Sequence, residues 1–164
     1  MEIERKFLVS RLPENLESYP HNEISQAYIS TDPVIRIRRK NDTYILTVKS
    51  KGLLKREEFE MNISKKEYDT LLKKSEGNPI TKTRYKIPDR DGLTIELDIF
   101  HGLFDGLVFA EVEFPDETTA AGYIPPDYFG REVTEDPSYQ NSSLSMMNPE
   151  DIRAFINMIS VRPE

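Results

Sequence analysis

The chain contains no cysteine, so neither a disulfide framework nor a thiolate zinc site can form in it. It also lacks a run of about 18 apolar residues, the length that a membrane-spanning helix requires, and we expect no membrane contact. No apolar segment typical of a signal peptide follows the charged N-terminus, so we expect a cytoplasmic protein. A broad basic surface is also missing, because the net charge is -7, and this argues against a nucleic-acid partner.

The residues that are present are typical of one globular domain. Apolar residues make up 37% of the 164 residues and charged residues 31%, which allows a real core and is too apolar for a disordered chain. The sequence shows no internal repeat, low-complexity tract or linker. It therefore predicts a single domain over residues 1–164.

Alternation of polar and apolar residues with a period of two dominates the first two thirds of the chain, as is typical of β-strands. Turn signals such as Asn41-Asp42 and Lys51-Gly52 separate the alternating runs, and they predict antiparallel connections. The eight predicted strands cover residues 2–9, 24–30, 34–40, 43–51, 54–63, 81–87, 93–100 and 107–114.

Helical patterns interrupt and follow the strands. Ser64 stands three residues before Glu67, which is the spacing of a capping box, and the helix that begins there is expected to end at Gly77–Pro79. A short helix is predicted over residues 116–122, and a last helix begins at Pro149 with an apolar stripe along it. The sequence thus predicts a mainly β protein with helices packed outside the sheet.

One face of nearly every predicted strand is charged, and the opposite faces are mostly apolar. A solvated strand face usually mixes in Ser, Thr, Gln and Asn, so this concentration of charge is unusual. The acidic members are Glu2, Glu4, Glu58, Glu60, Glu96, Asp98, Glu111 and Glu113, and the basic members are Lys6, Arg36, Arg38, Lys49, Arg56, Lys82, Arg84 and Lys86.

Two arrangements explain the charged faces. In the first, an open antiparallel sheet turns its charged face to solvent and its apolar face to the helices. In the second, the strands close into a barrel, which removes exposed edges, and the charged faces surround a wet lumen. Neighbouring like charges repel, but carboxylates gather around a divalent cation, and Arg and Lys gather around phosphate oxygens. A lumen that contains both groups predicts a site for metal and polyphosphate.

The opening Glu2-Ile3-Glu4-Arg5-Lys6 matches the Glu-x-Glu-x-Lys signature of the CYTH superfamily, also called triphosphate tunnel metalloenzymes. Further motifs follow in the family's order, and the chain resembles the short, single-domain bacterial members over nearly its whole length. These motifs are Arg36-x-Arg38, Thr47-Val48-Lys49, Arg56-x-Glu58-x-Glu60, Lys82-Thr83-Arg84-Tyr85, Glu96-Leu97-Asp98, Glu111-Val112-Glu113, Gly130-Arg131-Glu132-Val133-Thr134 and Tyr139-x-Asn141.

The resemblance implies a fold and a set of site residues. The family fold is an eight-stranded antiparallel tunnel, and its members act on triphosphates with Mg²⁺ or Mn²⁺. By resemblance, the metal ligands would be Glu2, Glu4, Glu111 and Glu113, assisted directly or through water by Glu60 and Asp98. The phosphates would be held by Lys6, Arg36, Arg38, Lys49, Lys82 and Arg84, with Arg56 as a weaker candidate.

The reaction expected from this resemblance is metal-assisted hydrolysis of inorganic triphosphate to pyrophosphate and phosphate. Lys6, Arg38 and Lys49 are the expected catalytic cations, and Tyr28 on its polar strand face either orients a water or phosphate or fills the tunnel mouth. The alternatives are a class IV-type adenylate cyclase, a hydrolase of thiamine triphosphate or nucleoside triphosphates, and a non-catalytic polyphosphate-binding module. The sequence leaves the oligomeric state open, a homodimer included.

Three further expectations concern individual residues. Arg5 and Arg39 have the wrong parity for the lumen and are expected outside the barrel. Related sequences commonly carry lysines near the Tyr-x-Asn segment, whereas here residues 139–143 contain none, so no C-terminal lysine should reach the substrate. Without metal the four glutamates should repel one another, so Glu111→Gln should leave the metal-free protein as stable as before, or slightly more so.

Overall fold

The computed structural model describes residues 1–160 and is mainly β, with an antiparallel sheet, as predicted. The strands are β1 (Glu2–Val9), β2 (His21–Thr31), β3 (Val34–Lys40), β4 (Thr43–Lys49), β5 (Lys55–Arg56), β6 (Glu58–Ile63), β7 (Glu76–Pro88), β8 (Thr94–His101), β9 (Val108–Glu113) and β10 (Phe129–Glu132). The helices are α1 (Lys65–Leu72), α2 (Glu117–Gly122), α3 (Asn141–Ser145) and α4 (Pro149–Ser160).

The sheet curls into a nearly closed barrel. Its strand order is β10-β1-β9-β8-β7-β2-β3-β4-β6. The two-residue strand β5 pairs with the start of β1, and because β5 immediately precedes β6 in the chain, it joins the two ends of this order. The barrel prediction is therefore confirmed, with ten strands in residues 1–160 where eight were predicted. The difference arises because the predicted strand 54–63 is interrupted at Glu57, and β10 adds a short strand beside β1.

The segment between α1 and β7 differs from the sequence prediction. The helix ends at Leu72, and β7 already begins at Glu76, so the Gly77–Pro79 sequence lies in a strand. Gly77 has a φ of +71°, and a Cβ atom there would come within 2.4 Å of the Ser145 carbonyl oxygen. The glycine therefore allows β7 to approach α3 closely. This close approach explains why Gly77 is present, although the sequence analysis interpreted it as the end of a helix.

Helices α1 and α2 cover the outer, apolar face of the barrel. The capping box of Ser64 and Glu67 is present, and Tyr68 of α1 packs with Ala27 and Ile37. Ala120 of α2 packs with residues of β1 and β9 in a second cluster. Within residues 1–160, no helix combines the length and apolar character needed to cross a membrane.

One end of the barrel interior is apolar, a feature that the sequence analysis did not anticipate. Strand register places Leu8, Phe100 and Phe109 on the same inward parity as Lys6, Asp98 and Glu111, but further along the barrel. These side chains form a core cluster with residues of α3 and α4. The last two helices therefore close this end of the barrel, and the charged interior is open elsewhere.

Candidate functional site: a charged tunnel

The inward-facing charged residues surround a cavity of about 270 Å³. Strand alternation brings these residues together, since the side chains at every second position of the wall strands point inward. Of the predicted site residues, those that line the cavity are Glu2, Glu4, Lys6, Tyr28, Arg36, Arg38, Lys49, Arg56, Glu60, Lys82, Arg84, Glu111 and Glu113. The open-sheet alternative is therefore wrong.

The basic side chains lie mainly on β3, β4 and β7. Arg36 is buried, and its Nη2 donates a hydrogen bond to Thr47 Oγ1 at 3.4 Å. Its Nε atom has no hydrogen-bond partner among residues 1–160. A buried guanidinium with an unpaired donor is costly unless an anion supplies the acceptor. This wall therefore suits an anionic ligand.

Glu4 and Glu113 lie directly opposite each other on β1 and β9. Burial raises the pKa of Glu4 to about 8, and the neighbouring charges of Glu111 and Glu2 add to the effect. Burial likewise raises the pKa of Glu113, with further contributions from nearby acidic groups. Two carboxylates in this position repel without a cation, so a positive ligand would relieve an unfavourable arrangement.

Glu2 and Glu111 have different surroundings from Glu4. Burial alone would raise the pKa of Glu111, but Lys6 and Arg84 lower it to about 2, and Arg84 Nη2 lies 2.8 Å from Glu111 Oε1. Burial would also raise the pKa of Glu2, but Lys49, whose Nζ lies 3.1 Å from Glu2 Oε1, and Arg56 lower it below its ordinary value. Glu2 and Glu111 still repel Glu4 and each other, as expected, but each has a basic partner that outweighs this repulsion. Glu111→Gln is therefore expected to destabilise the metal-free protein and not to leave it as stable as before.

Asp98 differs from the other predicted metal ligands. It is 1% exposed and is not among the cavity-lining residues. Its carboxylate accepts from Lys82 Nζ at 2.7 Å and from Arg84 Nε at 2.7 Å, and these cations hold its pKa well below its usual range despite burial. Asp98 thus fixes the positions of these two basic side chains without lining the cavity itself.

The remaining predicted residues lie at different depths. Tyr28 is buried and faces the cavity, whereas Glu60 is exposed at its edge. Arg38 donates from Nε to Gln26 Oε1 at 2.8 Å, which leaves its two terminal nitrogens for other acceptors. Arg39, one residue along, is exposed outside the barrel near Asp42.

The outward placement of Arg5 is also confirmed. Its guanidinium forms a 2.6 Å ion pair with Glu132 of β10 and donates to the Ala120 carbonyl of α2. Arg5 therefore ties the outer helix and β10 to β1, and has no part in the cavity.

The C-terminal segment supplies contacts that the sequence analysis missed. Lys6 Nζ donates to the Tyr139 carbonyl oxygen at 3.0 Å, and Lys82 Nζ donates to Asn141 Oδ1 at 3.0 Å. Gln26 Nε2 donates to the same Asn141 oxygen at 3.1 Å. The Tyr139-x-Asn141 motif was the available signal, but a neutral side chain and a carbonyl give no charge pattern that reveals such a role.

Comparison with known proteins places these features in a family. The sequence model of the CYTH domain matches residues 1–123. The chain belongs to the CYTH family. The CYTH match ends at α2, so β10, α3 and α4, which supply Asn141 and close the barrel, lie beyond the matched residues.

This CYTH protein has similar relatives and solved structures. It is 41% identical over 152 residues to an inorganic triphosphatase of Nitrosomonas europaea, covering 90% of this chain and 99% of that protein. It is also 41% identical over 153 residues to an inorganic triphosphatase of Acetivibrio thermocellus, covering 90% of this chain and 94% of that protein. A crystal structure of an inorganic triphosphatase is 38% identical, covers 91% of this chain and 97% of that chain, and gives a TM-score of 0.68.

Proposed function

We propose that this CYTH protein hydrolyses inorganic triphosphate to pyrophosphate and phosphate inside the charged tunnel. The observation that carries the proposal is that the cavity has two walls of opposite charge. The basic wall includes Arg36, which has an unpaired donor, and the acidic wall includes Glu4, whose pKa is raised. A polyphosphate with bound cations complements both walls at once. The two relatives named inorganic triphosphatase, each 41% identical to this chain, support this substrate.

The phosphate groups would be bound by the basic residues that still have donors facing the cavity. Arg36 and Arg38 each retain unpaired guanidinium donors, and guanidinium groups match phosphate oxygens in a bidentate manner. The full proposed set is Lys6, Arg36, Arg38, Lys49, Lys82 and Arg84. Arg56 and Arg84 are weaker members. Arg56 Nε already lies 3.3 Å from Glu2 Oε1, and Arg84 is paired with Glu96, Asp98 and Glu111.

The proposed cofactor is a divalent cation, Mg²⁺ or Mn²⁺, held by Glu4 and Glu113 with Glu2 and Glu111 beside them. Carboxylate oxygens are the ligands that these hard cations prefer, and Glu4 lies opposite Glu113 with its ion-pair partner Arg56 at 4.0 Å. Within residues 1–160, no three acidic or imidazole side chains form a preassembled metal site, so ligand binding would have to draw the carboxylates together. Glu60 at the cavity edge stays a candidate ligand, whereas Asp98 is committed to Lys82 and Arg84.

In the proposed reaction, a bound divalent cation supplies charge neutralisation of the phosphates and activation of the attacking water. The chain's own arginines and lysines hold the triphosphate and stabilise the charge that grows on the phosphoryl oxygens during transfer. The Tyr28 hydroxyl faces the same cavity and orients a water or a phosphate oxygen by hydrogen bonding. No protein nucleophile is required.

The experiment that tests this function is a phosphate-release panel. Triphosphate, ATP, thiamine triphosphate and pyrophosphate are each supplied with Mg²⁺ or with Mn²⁺, and cyclic AMP formation from ATP is measured in parallel. We expect triphosphate to be the preferred substrate and chelator to abolish the activity. A higher kcat/KM for an organic triphosphate, or cyclic AMP as the main product, would favour the alternative enzymes of this fold. Binding without turnover would favour a polyphosphate-binding module.

Four points stay predictions from the sequence. They are the choice of metal, the cytoplasmic location, the single domain and the oligomeric state, for which a homodimer is one possibility. The same panel decides between Mg²⁺ and Mn²⁺. Gel filtration with light scattering would decide the oligomeric state.

A further inference from the structure

We propose that Asn141 is a positioning residue that aims Lys82 and Arg38 at the bound phosphates. This inference rests on the proposed function, since it concerns the same tunnel. Asn141 is the first residue of α3 and lies outside the matched CYTH residues. Its carbonyl oxygen Oδ1 accepts hydrogen bonds from two different wall strands, β7 and β2.

The first link fixes Lys82. An ammonium group has three donors. One donor of Lys82 contacts Asp98 Oδ2 at 2.7 Å and a second contacts Asn141 Oδ1 at 3.0 Å. The Lys82 side chain is 1% exposed and lines the cavity, and its ammonium lies 5.2 Å from the centre of the Phe100 ring. Within residues 1–160 the third donor has no further oxygen acceptor, so a cavity ligand can supply one. With Asp98 and Asn141 as fixed acceptors, the direction of that third donor is set.

The second link reaches Arg38 through Gln26. Because Gln26 Nε2 donates to Asn141 Oδ1, the amide of Gln26 is oriented with its Oε1 atom toward Arg38. Arg38 Nε donates to that oxygen at 2.8 Å. Gln26 is 1% exposed, so its amide cannot turn to water as an alternative. The terminal nitrogens of Arg38 are thereby left for phosphate.

A neutral acceptor suits this position better than a charged one. A lysine at residue 141 would repel Lys82 and Arg38, and a carboxylate would compete with phosphate for the same donors. The amide oxygen orients both cations without neutralising them. The close approach of Gly77 in β7 to Ser145 in α3 keeps the helix that carries Asn141 against the barrel.

The test compares Asn141→Ala with Asn62→Ala, a matched substitution at an exposed position of β6. We expect Asn141→Ala to raise the KM for triphosphate by about tenfold, as loss of an oriented bond to a charged group implies. Asn62→Ala should leave KM and kcat unchanged. A structural defect that only lowers the folded fraction would reduce kcat and leave KM as it is, and that result would overturn the proposal.

The decisive measurement is a pair of double-mutant cycles. In a Lys82→Ala or a Gln26→Ala background, Asn141→Ala should raise KM by less than it does in the wild type, because one of its two links is already gone. In the Lys82→Ala/Gln26→Ala double variant, where both links are gone, Asn141→Ala should change KM by less than about twofold. Fully additive losses in both cycles would overturn the positioning role. Triphosphate binding is measured by calorimetry for the same variants. If the wild type binds triphosphate without hydrolysing it, the proposed function fails, while the cycles in binding affinity still decide the role of Asn141.

Discussion

Glu4 and Glu111 lie on paired strands of one tunnel wall, yet their carboxylates have opposite electrostatic surroundings. Glu111 is within 2.8 Å of Arg84, whereas Glu4 faces Glu113 and lies 4.0 Å from its nearest ion-pair partner, Arg56. The sequence shows four similar glutamates and gives no means to separate them. Which carboxylate repels its neighbours depends on cross-strand pairing, which only the structure supplies.

The first prediction compares Glu4→Gln with Glu111→Gln in chelator at neutral pH. Glu4→Gln should stabilise the protein slightly, by up to about 1 kcal/mol, because the neutral amide is buried without the uptake of a proton, which folding requires of Glu4 at this pH. Glu111→Gln should destabilise it by about 1–3 kcal/mol, because Arg84 and Lys6 lose a charged acceptor. Chemical denaturation measures both differences. Equal stability of the two variants would contradict the separation of the carboxylates.

The second prediction is the pH dependence that Glu4 contributes. Its pKa of about 8 lies above the ordinary value of 4.5, so between these values the folded protein holds a proton that the unfolded chain releases. This contribution to stability is therefore complete below pH 4.5 and is lost as pH rises through 8. Between pH 5 and 7 in chelator, the wild type should lose stability relative to Glu4→Gln. The stability of both proteins is measured by thermal melting at several pH values. If the two stabilities change equally with pH over this range, the pKa assignment to Glu4 is contradicted.

The third prediction concerns two adjacent arginines on opposite faces of β3. Arg38→Ala should reduce kcat/KM for triphosphate by the equivalent of roughly 2–4 kcal/mol, since a cation that stabilises developing charge is removed. Arg39→Ala should have little effect, because Arg39 is exposed outside the barrel. Steady-state kinetics of both variants checks the assignment. A large loss at Arg39 with none at Arg38 would mean that the inward face is wrongly assigned.

At the scale of single elements, the sequence predicted what depends on local pattern. Alternation with a period of two located the strands of the wall except β10 and gave the correct inward parity of Arg38, and the Ser64 and Glu67 spacing located the start of α1. It missed the interruption at Glu57 and the strand that begins at Glu76. Both depend on pairing with distant strands, β1 for the first and β2 for the second, and no local pattern records such pairing.

The fourth prediction belongs to α1. Ser64→Ala removes the side-chain oxygen that accepts from the Glu67 backbone N–H, and should cost about 1 kcal/mol of stability. Because α1 packs on the outer face, away from the cavity lining, kcat and KM for triphosphate should stay unchanged. Urea denaturation and steady-state kinetics on the same sample check both parts. A catalytic loss with unchanged stability would contradict the separation of outer helix and tunnel.

At the scale of the whole molecule, the charged lumen could be predicted from the sequence but its closed end could not. The charged strand faces had to contact either solvent or a ligand inside a closed barrel, and the family motifs favoured the closed barrel. The inward placement of Leu8, Phe100 and Phe109 reads in sequence as one more alternation of a strand. Only their contacts with α3 and α4 show that these apolar side chains close one end of the barrel. For the same reason Asn141 escaped notice as a site residue.

The last prediction joins the tunnel to the stability of the whole barrel. The wall is joined through β5 by only two paired residues on each strand, so a ligand that bridges the acidic and basic walls should hold the barrel together. Saturating Mg²⁺ or Mn²⁺ with triphosphate should stabilise the protein by roughly 2.7 kcal/mol at 100 times Kd. Pyrophosphate carries fewer phosphate oxygens for the same basic wall, and should stabilise less and be cleaved far more slowly. Thermal melts with metal and each anion, recorded beside Glu113→Gln as the variant with a weakened acidic wall, measure this difference. An equal shift for pyrophosphate, or an undiminished shift in Glu113→Gln, would show that the two walls do not bind the ligand together.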